Sequence, residues 1–487
     1  MFNEINEECG VFGIYNNNEL EAAELTYYAL YALQHRGQEA CGMAINKDGI
    51  IKGHKAPGLV NEVFNPKVLE KLSHGKMAIG HCRYATCGQG LISNAQPLII
   101  NHLKGHMALA HNGNLTNAGE LRKKLELEGA IFQSTSDTEV IAYTITKERL
   151  NSSSIEEAVA KTTDIIKGAY CLLVMSPQKL IAARDPYGIR PLSLGKLGQS
   201  YVVASETCAL DSIGAVFIRD IEPGEILVID EKGLRSIKKP RQEKCHLCVF
   251  EFIYFARPDS IIEGICVQTT RQKAGAFLAQ EHPVEADIVI GVPDSGIDAA
   301  LGYSMESKIP YGVGLLKNKY IGRTFIQGNQ KQREKSVKIK LNPIISSVKD
   351  KRVVLVDDSI VRGTTSKRII QLIRDAGAKE VHLRISAPPF KYPCYFGTDV
   401  DSQENLIAWH YNIQEIKDKL NVDSLGYLSI EDVKKVAENK GCEYCIGCFT
   451  GEYPMEVPKE SQKHICEIPL SGYKLSDYEE METDERL

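Results

Sequence analysis

Cys9 opens the apolar run Cys9-Gly10-Val11-Phe12-Gly13-Ile14-Tyr15. If residues 1–8 are removed, Cys9 becomes the N-terminus and carries a nucleophilic sulfur and a free α-amine on one residue. That amine has an ordinary pKa of about 7.7–8.0, so it can take the thiol proton near working pH. A side chain activated by an N-terminal amine is an established device for acyl transfer. On this segment alone, a buried strand cysteine explains the residue as well. Four polar clusters follow, each interrupting or ending an apolar strand: Gln34-His35-Arg36-Gly37-Gln38, His81-Cys82-Arg83-Tyr84-Ala85-Thr86, His111-Asn112-Gly113-Asn114 and Ser134-Thr135-Ser136-Asp137. A thiol attacking an amide needs donors for the oxyanion, a cation for a substrate carboxylate and an anion for a substrate ammonium. Asn112 offers a side-chain amide N–H and Gly113 an unshielded backbone N–H. Arg83 can clamp a carboxylate through two parallel hydrogen bonds, and Asp137 can pair an ammonium. Together they describe a site for a free amino acid with a side-chain amide. Each also has a plainer reading: Asn-Gly as a turn, Arg83 in a structural ion pair, Asp137 as the N-cap of a helix over 138–149.

The second chemical signal is Val353-Val354-Leu355-Val356-Asp357-Asp358-Ser359-Ile360-Val361-Arg362-Gly363-Thr364-Thr365-Ser366. An apolar strand delivers two adjacent carboxylates, and a loop of glycine and hydroxyl residues enters a helix. Helix N-termini bind phosphate through unpaired N–H groups and the helix dipole. Gly363 lets backbone approach, and Thr364, Thr365 and Ser366 add hydroxyl donors. Two carboxylates beside such a cradle suit ribose hydroxyls and a magnesium ion shared with substrate phosphates. A strand–helix turn with acidic capping residues is the plainer alternative. A third signal is the thiol group Cys442-x-x-Cys445-x-x-Cys448, with Cys245-x-x-Cys248 and Cys394 upstream. In a reducing compartment such clusters suggest zinc or an iron–sulfur cluster.

The elements that must position these groups are legible in outline. At 487 residues the chain is long enough for two to four domains. A net charge of −5 without a basic block excludes a nucleic-acid binder, and no apolar run is long enough for a membrane span. The acidic N-terminus is not a secretory signal, so a cytoplasmic protein is expected, with few disulfides. Residues 9–240 read as short glycine-rich strands, among them Ile45–Lys52, Met77–His81, Met107–His111, Cys171–Met175 and Tyr201–Ala204, with helices over Leu25–Leu33 and Thr138–Arg149. The polar stretch Lys238-Lys239-Pro240-Arg241-Gln242 is the expected boundary. Beyond it, strands at Asp287–Val292, Arg352–Val356 and Val381–Ile385 alternate with helical runs, the pattern of a parallel α/β sheet. The expected units are a propeptide 1–8, domains 9–240 and 241–470, and an acidic tail 471–487.

The first set of motifs, Cys-Gly-Val-Phe-Gly, Gln-His-Arg-Gly-Gln-Glu, His-x-Arg-Tyr-x-Thr, His-Asn-Gly-Asn-Leu and Ser-Asp-Thr-Glu, resembles the class II glutamine amidotransferases. These are N-terminal-nucleophile hydrolases with an α/β/β/α sandwich. The resemblance implies that Cys9 attacks glutamine and releases ammonia, that Asn112 and Gly113 form the oxyanion hole, that Arg83 and Asp137 hold the α-carboxylate and α-amine, and that Arg36 lies beside the site. Cys82 and Cys87 depart from the pattern and read as packing residues. The string 353–366 resembles the phosphoribosyl-pyrophosphate motif of type I phosphoribosyltransferases, which have a parallel-sheet domain. That resemblance assigns Asp357 and Asp358 to ribose hydroxyls and magnesium, and Arg362, Gly363, Thr364, Thr365 and Ser366 to the 5′-phosphate. It makes Pro293-Asp294-Ser295-Gly296 the pyrophosphate loop with Ser295 near the metal, and Lys317–Lys340 a closing loop.

Together the resemblances imply a pentosyltransferase that moves ammonia from glutamine to phosphoribosyl pyrophosphate, with one magnesium ion per subunit, purine nucleotides as feedback inhibitors and a homotetramer. Among enzymes joining these two domains, one branch carries a propeptide and a [4Fe–4S] cluster. The extension before Cys9, with the contexts Cys248-Val249-Phe250-Glu251, Tyr392-Pro393-Cys394 and Cys442 to Cys448 before Phe449-Thr450-Gly451, is similar to that branch. It implies Cys248, Cys394, Cys442 and Cys445 as ligands of one cluster per subunit, with Cys448 and Cys245 as spares. A hexosephosphate aminotransferase or asparagine synthetase would need a sugar-isomerase domain or an ATP-pyrophosphatase motif, and neither is present. A phosphoribosyl-pyrophosphate sensor would have no use for the Cys9 constellation.

Overall fold

The structure, a computed structural model, describes residues 9–16, 21–84, 92–238, 243–318, 341–398, 400, 402–437 and 441–458. Its first part is built on two antiparallel sheets laid face to face. One has the order β11-β9-β10-β1-β4-β2-β3, the other β13-β12-β8-β7-β6-β5, with β1 Gly10–Tyr15, β2 Ala40–Lys47, β3 Ile50–Pro57, β4 Met77–Arg83, β5 Leu98–His102, β6 Gly105–Leu115, β7 Gly168–Met175, β8 Leu180–Arg184, β9 Ser193–Leu197, β10 Ser200–Ala204, β11 Val216–Asp220, β12 Glu225–Asp230 and β13 Gly233–Lys238.

Side chains that alternate along a strand go to different cores. Along β7, Cys171, Leu173 and Met175 enter the layer between the sheets, while Tyr170, Leu172 and Val174 pack under the helices Asp137–Leu150 and Ile155–Ile165. Along β1, Val11 and Tyr15 face the other sheet, and Phe12 and Ile14 face α1 (Ala22–Ala32). Both faces of the central strands are therefore covered, and β1, β4, β7, β8 and β12 are buried along their whole length, while the edge strands β3, β5, β11 and β13 keep exposed positions. This is the expected α/β/β/α sandwich.

One expected strand is corrected. Ile45–Lys52 is a hairpin, not a single strand: β2 ends at Lys47, β3 begins at Ile50, and Asp48 and Gly49 turn between them with φ of 53° and 84°. Asp-Gly is the pair that a two-residue turn with two positive φ values favours. The expected boundary at 240 lies outside the described residues.

The second part holds a parallel sheet of strands Ile288–Gly291, Arg352–Asp357, Glu380–Ile385 and Ser424–Tyr427, in that order. Helices Val267–Glu281, Gly296–Ser307 and Thr364–Asp375 contribute buried side chains to its core. The strand β14 (Cys245–Cys248) pairs in parallel with Cys442–Cys445, placing Cys245 opposite Cys442 and Cys248 opposite Cys445. On its other side, β14 donates from His246 N to Tyr187 O at 2.7 Å and from Cys248 N to Ile189 O at 3.0 Å. Backbone hydrogen bonds thus join the two parts.

Candidate functional site

Cys9 directly precedes β1, whose register against β4 sets Gly10 opposite Cys82. One residue further out, Cys9 faces the position of Arg83, which is buried at the end of β4. β4 also lies across the sheet layer from β6. The two are tied by His81 Nε2, which donates to the His111 carbonyl at 3.0 Å. Burial pushes the His81 imidazole down to about 3, so it is neutral, with its proton on Nε2 because a carbonyl can only accept.

The residues after His111 are Asn112 and Gly113. They sit inside β6 opposite Cys171 and Tyr170, so the Asn-Gly pair is not a turn. Asn112 is buried, and its Nδ2 finds no hydrogen-bond partner among the described residues. A buried amide N–H without an acceptor is costly in a finished structure unless a ligand supplies one. Gly113 has φ 141°, and a Cβ there would lie 2.1 Å from the Ala169 carbonyl oxygen, so only glycine fits.

Asp137 is the first residue of its helix and follows Ser136, whose side chain accepts from Thr138 N as the N-cap. Asp137 is therefore not itself the cap. Its Oδ2 accepts from Leu115 N at 3.0 Å, and its Oδ1 lies 3.6 Å from His111 Nδ1. Burial alone would raise its carboxyl, but His111 and the N–H groups of Leu115 and Thr138 outweigh that and hold it below the usual carboxylate range.

Arg36 reaches the same corner. Its Nε donates to the Cys9 carbonyl at 3.1 Å. Its other nitrogens form ion pairs with Glu206 at 2.6 Å and Glu251 at 2.8 Å, all three side chains being fully buried. Glu206 also pairs His35 at 2.7 Å, and Glu251 pairs Arg190 at 3.3 Å. Burial works against both carboxylates, and the neighbouring cations hold both below their ordinary values. Arg36 lies beside the site, as its motif implies, whereas Glu206, Glu251 and Arg190 belong to none of the four polar clusters. A lone acid inside Val249-Phe250-Glu251-Phe252-Ile253 was the available signal.

In the second part, Asp357 and Asp358 stand at the end of the strand Arg352–Asp357 and are buried. Ser295, at the N-terminus of the helix Gly296–Ser307, donates to Asp358 Oδ1 at 2.5 Å. Ser359 donates to the other oxygen of the same carboxylate. Burial pushes the Asp358 carboxyl upward, a cost that a bound cation would relieve. Gly363 has φ 77° and caps the helix Thr364–Asp375; a Cβ there would lie 2.7 Å from Ile407 Cδ1. The Thr365 hydroxyl is buried in the first turn with no partner among the described residues. Arg362, Thr364 and Ser366 flank it in the same loop and turn. Of the expected closing loop, Tyr320, Gly322, Arg323 and Lys340 lie outside the described residues.

Cys248, Cys394, Cys445 and Cys448 line one small cavity with Ile189, Phe250, Phe390, Phe396 and Tyr453. Burial pushes the Cys445 thiol up to about 12, and burial plus the three neighbouring thiols pushes Cys448 well above its ordinary value. This corrects the expected ligand set. Cys442 is bonded to Cys245 in a disulfide, and Cys448, read as a spare, stands with the other three. In the run Cys442-Glu443-Tyr444-Cys445, strand geometry holds Cys442 opposite Cys245, while the short helix Gly447–Thr450 carries Cys448 back to the cavity. The disulfide also departs from the expectation of reduced thiols.

Among the described residues, no group of three Cys, His, Asp or Glu is drawn close enough to hold a single metal ion. Four thiols around one largely apolar cavity are a donor set of the kind that holds zinc or an iron–sulfur cluster. A magnesium ion that keeps several waters and shares substrate phosphates needs no preformed cage.

Comparison with known proteins agrees with this division. Residues 81–212 match the glutamine amidotransferase domain family, and residues 269–423 match the phosphoribosyl transferase domain family. The amidophosphoribosyltransferase of Bacillus subtilis is 48% identical over 96% of this chain and 98% of its own length. That of Archaeoglobus fulgidus is 48% identical over 93% of this chain and 99% of its own. A solved glutamine phosphoribosylpyrophosphate amidotransferase from Bacillus subtilis, complexed with ADP and GMP, superposes with a TM-score of 0.87 at 47% identity, covering 93% of this chain and 99% of that one. A structure described as the allosteric regulatory enzyme of purine biosynthesis gives 0.89 at 47% identity, covering 95% and 100%.

Proposed function

The chain belongs to the amidophosphoribosyltransferase family, and on that premise we propose how its residues divide the reaction. The enzyme takes ammonia from glutamine and transfers it to phosphoribosyl pyrophosphate, giving 5-phosphoribosylamine, pyrophosphate and glutamate for purine nucleotide synthesis.

In the first half-reaction the Cys9 sulfur attacks the glutamine carboxamide carbon. Once residues 1–8 are removed, the Cys9 amine takes the thiol proton and returns it to the departing nitrogen. Arg83 binds the α-carboxylate, and Asp137, kept ionised by His111 and two N–H groups, binds the α-ammonium. The carbonyl oxygen becomes an oxyanion facing Asn112 Nδ2 and Gly113 N. Collapse of this intermediate expels ammonia and leaves a thioester, which water hydrolyses to glutamate. Arg36 contacts the Cys9 carbonyl, not the substrate, and acts by positioning.

In the second half-reaction the first turn of the helix Thr364–Asp375 cradles the 5′-phosphate through backbone N–H groups, with Arg362, Gly363, Thr364, Thr365 and Ser366. Asp357 and Asp358 hold the ribose hydroxyls. Together with Ser295 they would also hold magnesium, which offsets charge on the departing pyrophosphate. Ammonia attacks C1 of the sugar, and the C1–oxygen bond to pyrophosphate breaks. No side-chain nucleophile is needed, because orientation and charge stabilisation carry the step. Cys248, Cys394, Cys445 and Cys448 would hold a [4Fe–4S] cluster, which would cross-link three segments distant in the chain. Purine nucleotides as feedback inhibitors and a homotetramer complete this reading. The nucleotides rest on the relative solved with ADP and GMP, the tetramer on the resemblance alone. The proposed units remain 9–240 and 241–470, with residues 1–8 as propeptide and 471–487 as a tail.

The observation that carries the first half is the buried, unpartnered Asn112 Nδ2 beside a strand glycine that admits no Cβ. Removing one oxyanion donor costs about 10²–10³ in kcat. Asn112→Ala is therefore expected to lower glutamate release by that factor, with KM for glutamine little changed. Glutamate release at the wild-type rate would overturn the assignment.

A further inference from the structure

We propose that Glu251 is a positioning residue for the glutamine half-reaction, linking the loop of the four-cysteine cavity to the guanidinium that holds Cys9. The inference rests on the reading of Cys9 as nucleophile. Glu251 follows Phe250, which lines the cavity, and it is fully buried. Its two carboxylate oxygens accept from Arg36 as a fork, at 2.8 and 3.0 Å. A forked pair fixes the plane of a guanidinium as well as its place. The third nitrogen of that plane, Nε, is the one that donates to the Cys9 carbonyl.

From the other side, Arg190 donates to Glu251 Oε1 at 3.3 Å and reaches the Phe396 carbonyl with two nitrogens, at 2.7 and 3.2 Å. Phe396 N in turn lies 3.4 Å from the Cys394 sulfur. An unbroken path of contacts, buried from Phe396 to Arg36 and half-buried at its two ends, therefore runs from the Cys394 sulfur through Phe396, Arg190, Glu251 and Arg36 to Cys9. The same loop also touches the oxyanion strand. The Tyr395 carbonyl accepts from Asn114 Nδ2 at 2.9 Å, and a Cβ on Gly397 would sit 3.5 Å from the Gly113 carbonyl carbon. The segment around Cys394 thus braces both the nucleophile and the strand of its oxyanion donors, and Glu251 is the anion at the joint. Glu206 meets Arg36 at Nη1, at 2.6 Å, so loss of the Glu251 charge unbalances the guanidinium toward Glu206.

The test is Glu251→Gln in the full chain, with two readouts beside its absorption spectrum. These are kcat and KM for glutamate release, and the rate at which iodoacetamide alkylates Cys9. Misplacement of a reacting group by about 1 Å can cost about a hundredfold. The expected result is a kcat lowered about tenfold to a hundredfold, KM for glutamine within about threefold, and slower alkylation of Cys9. Both quantities within about twofold of wild type would overturn the proposal. If Glu251→Gln does not fold, Arg190→Lys, which keeps the charge but loses the forked grip on Phe396, is expected to move both readouts in the same direction, and wild-type values there would equally overturn it. Cys9→Ala, measured alongside, separates the two claims. Glutamate release by Cys9→Ala would sink the nucleophile reading. A silent Cys9→Ala with a normal Glu251→Gln would sink only the role of Glu251.

Discussion

His81 shows how a residue outside the chemistry holds its parts in register. It is buried between the sheets, neutral, and donates to the carbonyl one residue before Asn112. Its folded pKa, near 3, lies below an ordinary unfolded value of about 6.5. Between those two values the unfolded chain binds a proton that the folded chain refuses, so stability falls as pH falls through the window, by up to about 1.4 kcal/mol per pH unit. His81→Gln keeps an N–H for the His111 carbonyl and cannot titrate. Its urea midpoint is expected to gain on wild type steadily from pH 6 to pH 4. A difference that does not change with pH would contradict a neutral buried His81. At this scale the sequence was most informative where a residue type has few structural uses: Asn112 and Gly113 lie within β6, Asp137 at a helix start accepts from Leu115 N of the same strand, and Arg83 ends β4, the strand that His81 ties to His111. Glu251, Glu206 and Arg190 stayed hidden because their meaning is a contact between segments far apart in the chain, and spacing along one segment cannot reveal it.

Among the elements, the pairing of β14 with Cys442–Cys445 decides which thiols share a cavity. Parallel register puts Cys245 against Cys442 and Cys248 against Cys445, and the helix turn beyond supplies Cys448. Three thiols at equal spacing, Cys442, Cys445 and Cys448, were legible in the sequence. Which two face the cavity depends on where the strand stops and the helix begins, and sequence spacing does not settle that. Cys448→Ser is therefore expected to remove the brown chromophore of anaerobically purified protein, while Cys442→Ser retains it. The reverse pattern in iron content and visible absorption would restore the ligand set read from the sequence. The hairpin at Asp48-Gly49 has the same lesson in miniature. Apolar residues on either side suggested one strand, although the Asp-Gly pair already marked the turn.

At the scale of the whole molecule, two catalytic units with unrelated chemistry are joined by hydrogen bonds from β14 to residues 187–189 and by a buried charge network. Arg36 comes from the first unit and Glu251 from the second, so the guanidinium that donates to the Cys9 carbonyl is gripped by an acid from the other side of the boundary. None of the described helices is long and apolar enough to cross a membrane. The order of the two units was readable because each carries a long motif string. Their joint was not, because its residues come from both sides of the boundary.

The central claim is that one chain couples glutamine hydrolysis to displacement of pyrophosphate. The most direct measurement is glutamate and pyrophosphate formed from glutamine, with and without phosphoribosyl pyrophosphate and magnesium, on anaerobically purified protein. The account predicts strong stimulation of glutamate release by the sugar phosphate, with one pyrophosphate formed for each glutamate. Glutamate released at the same rate without the sugar phosphate, and with no pyrophosphate in its presence, would contradict it.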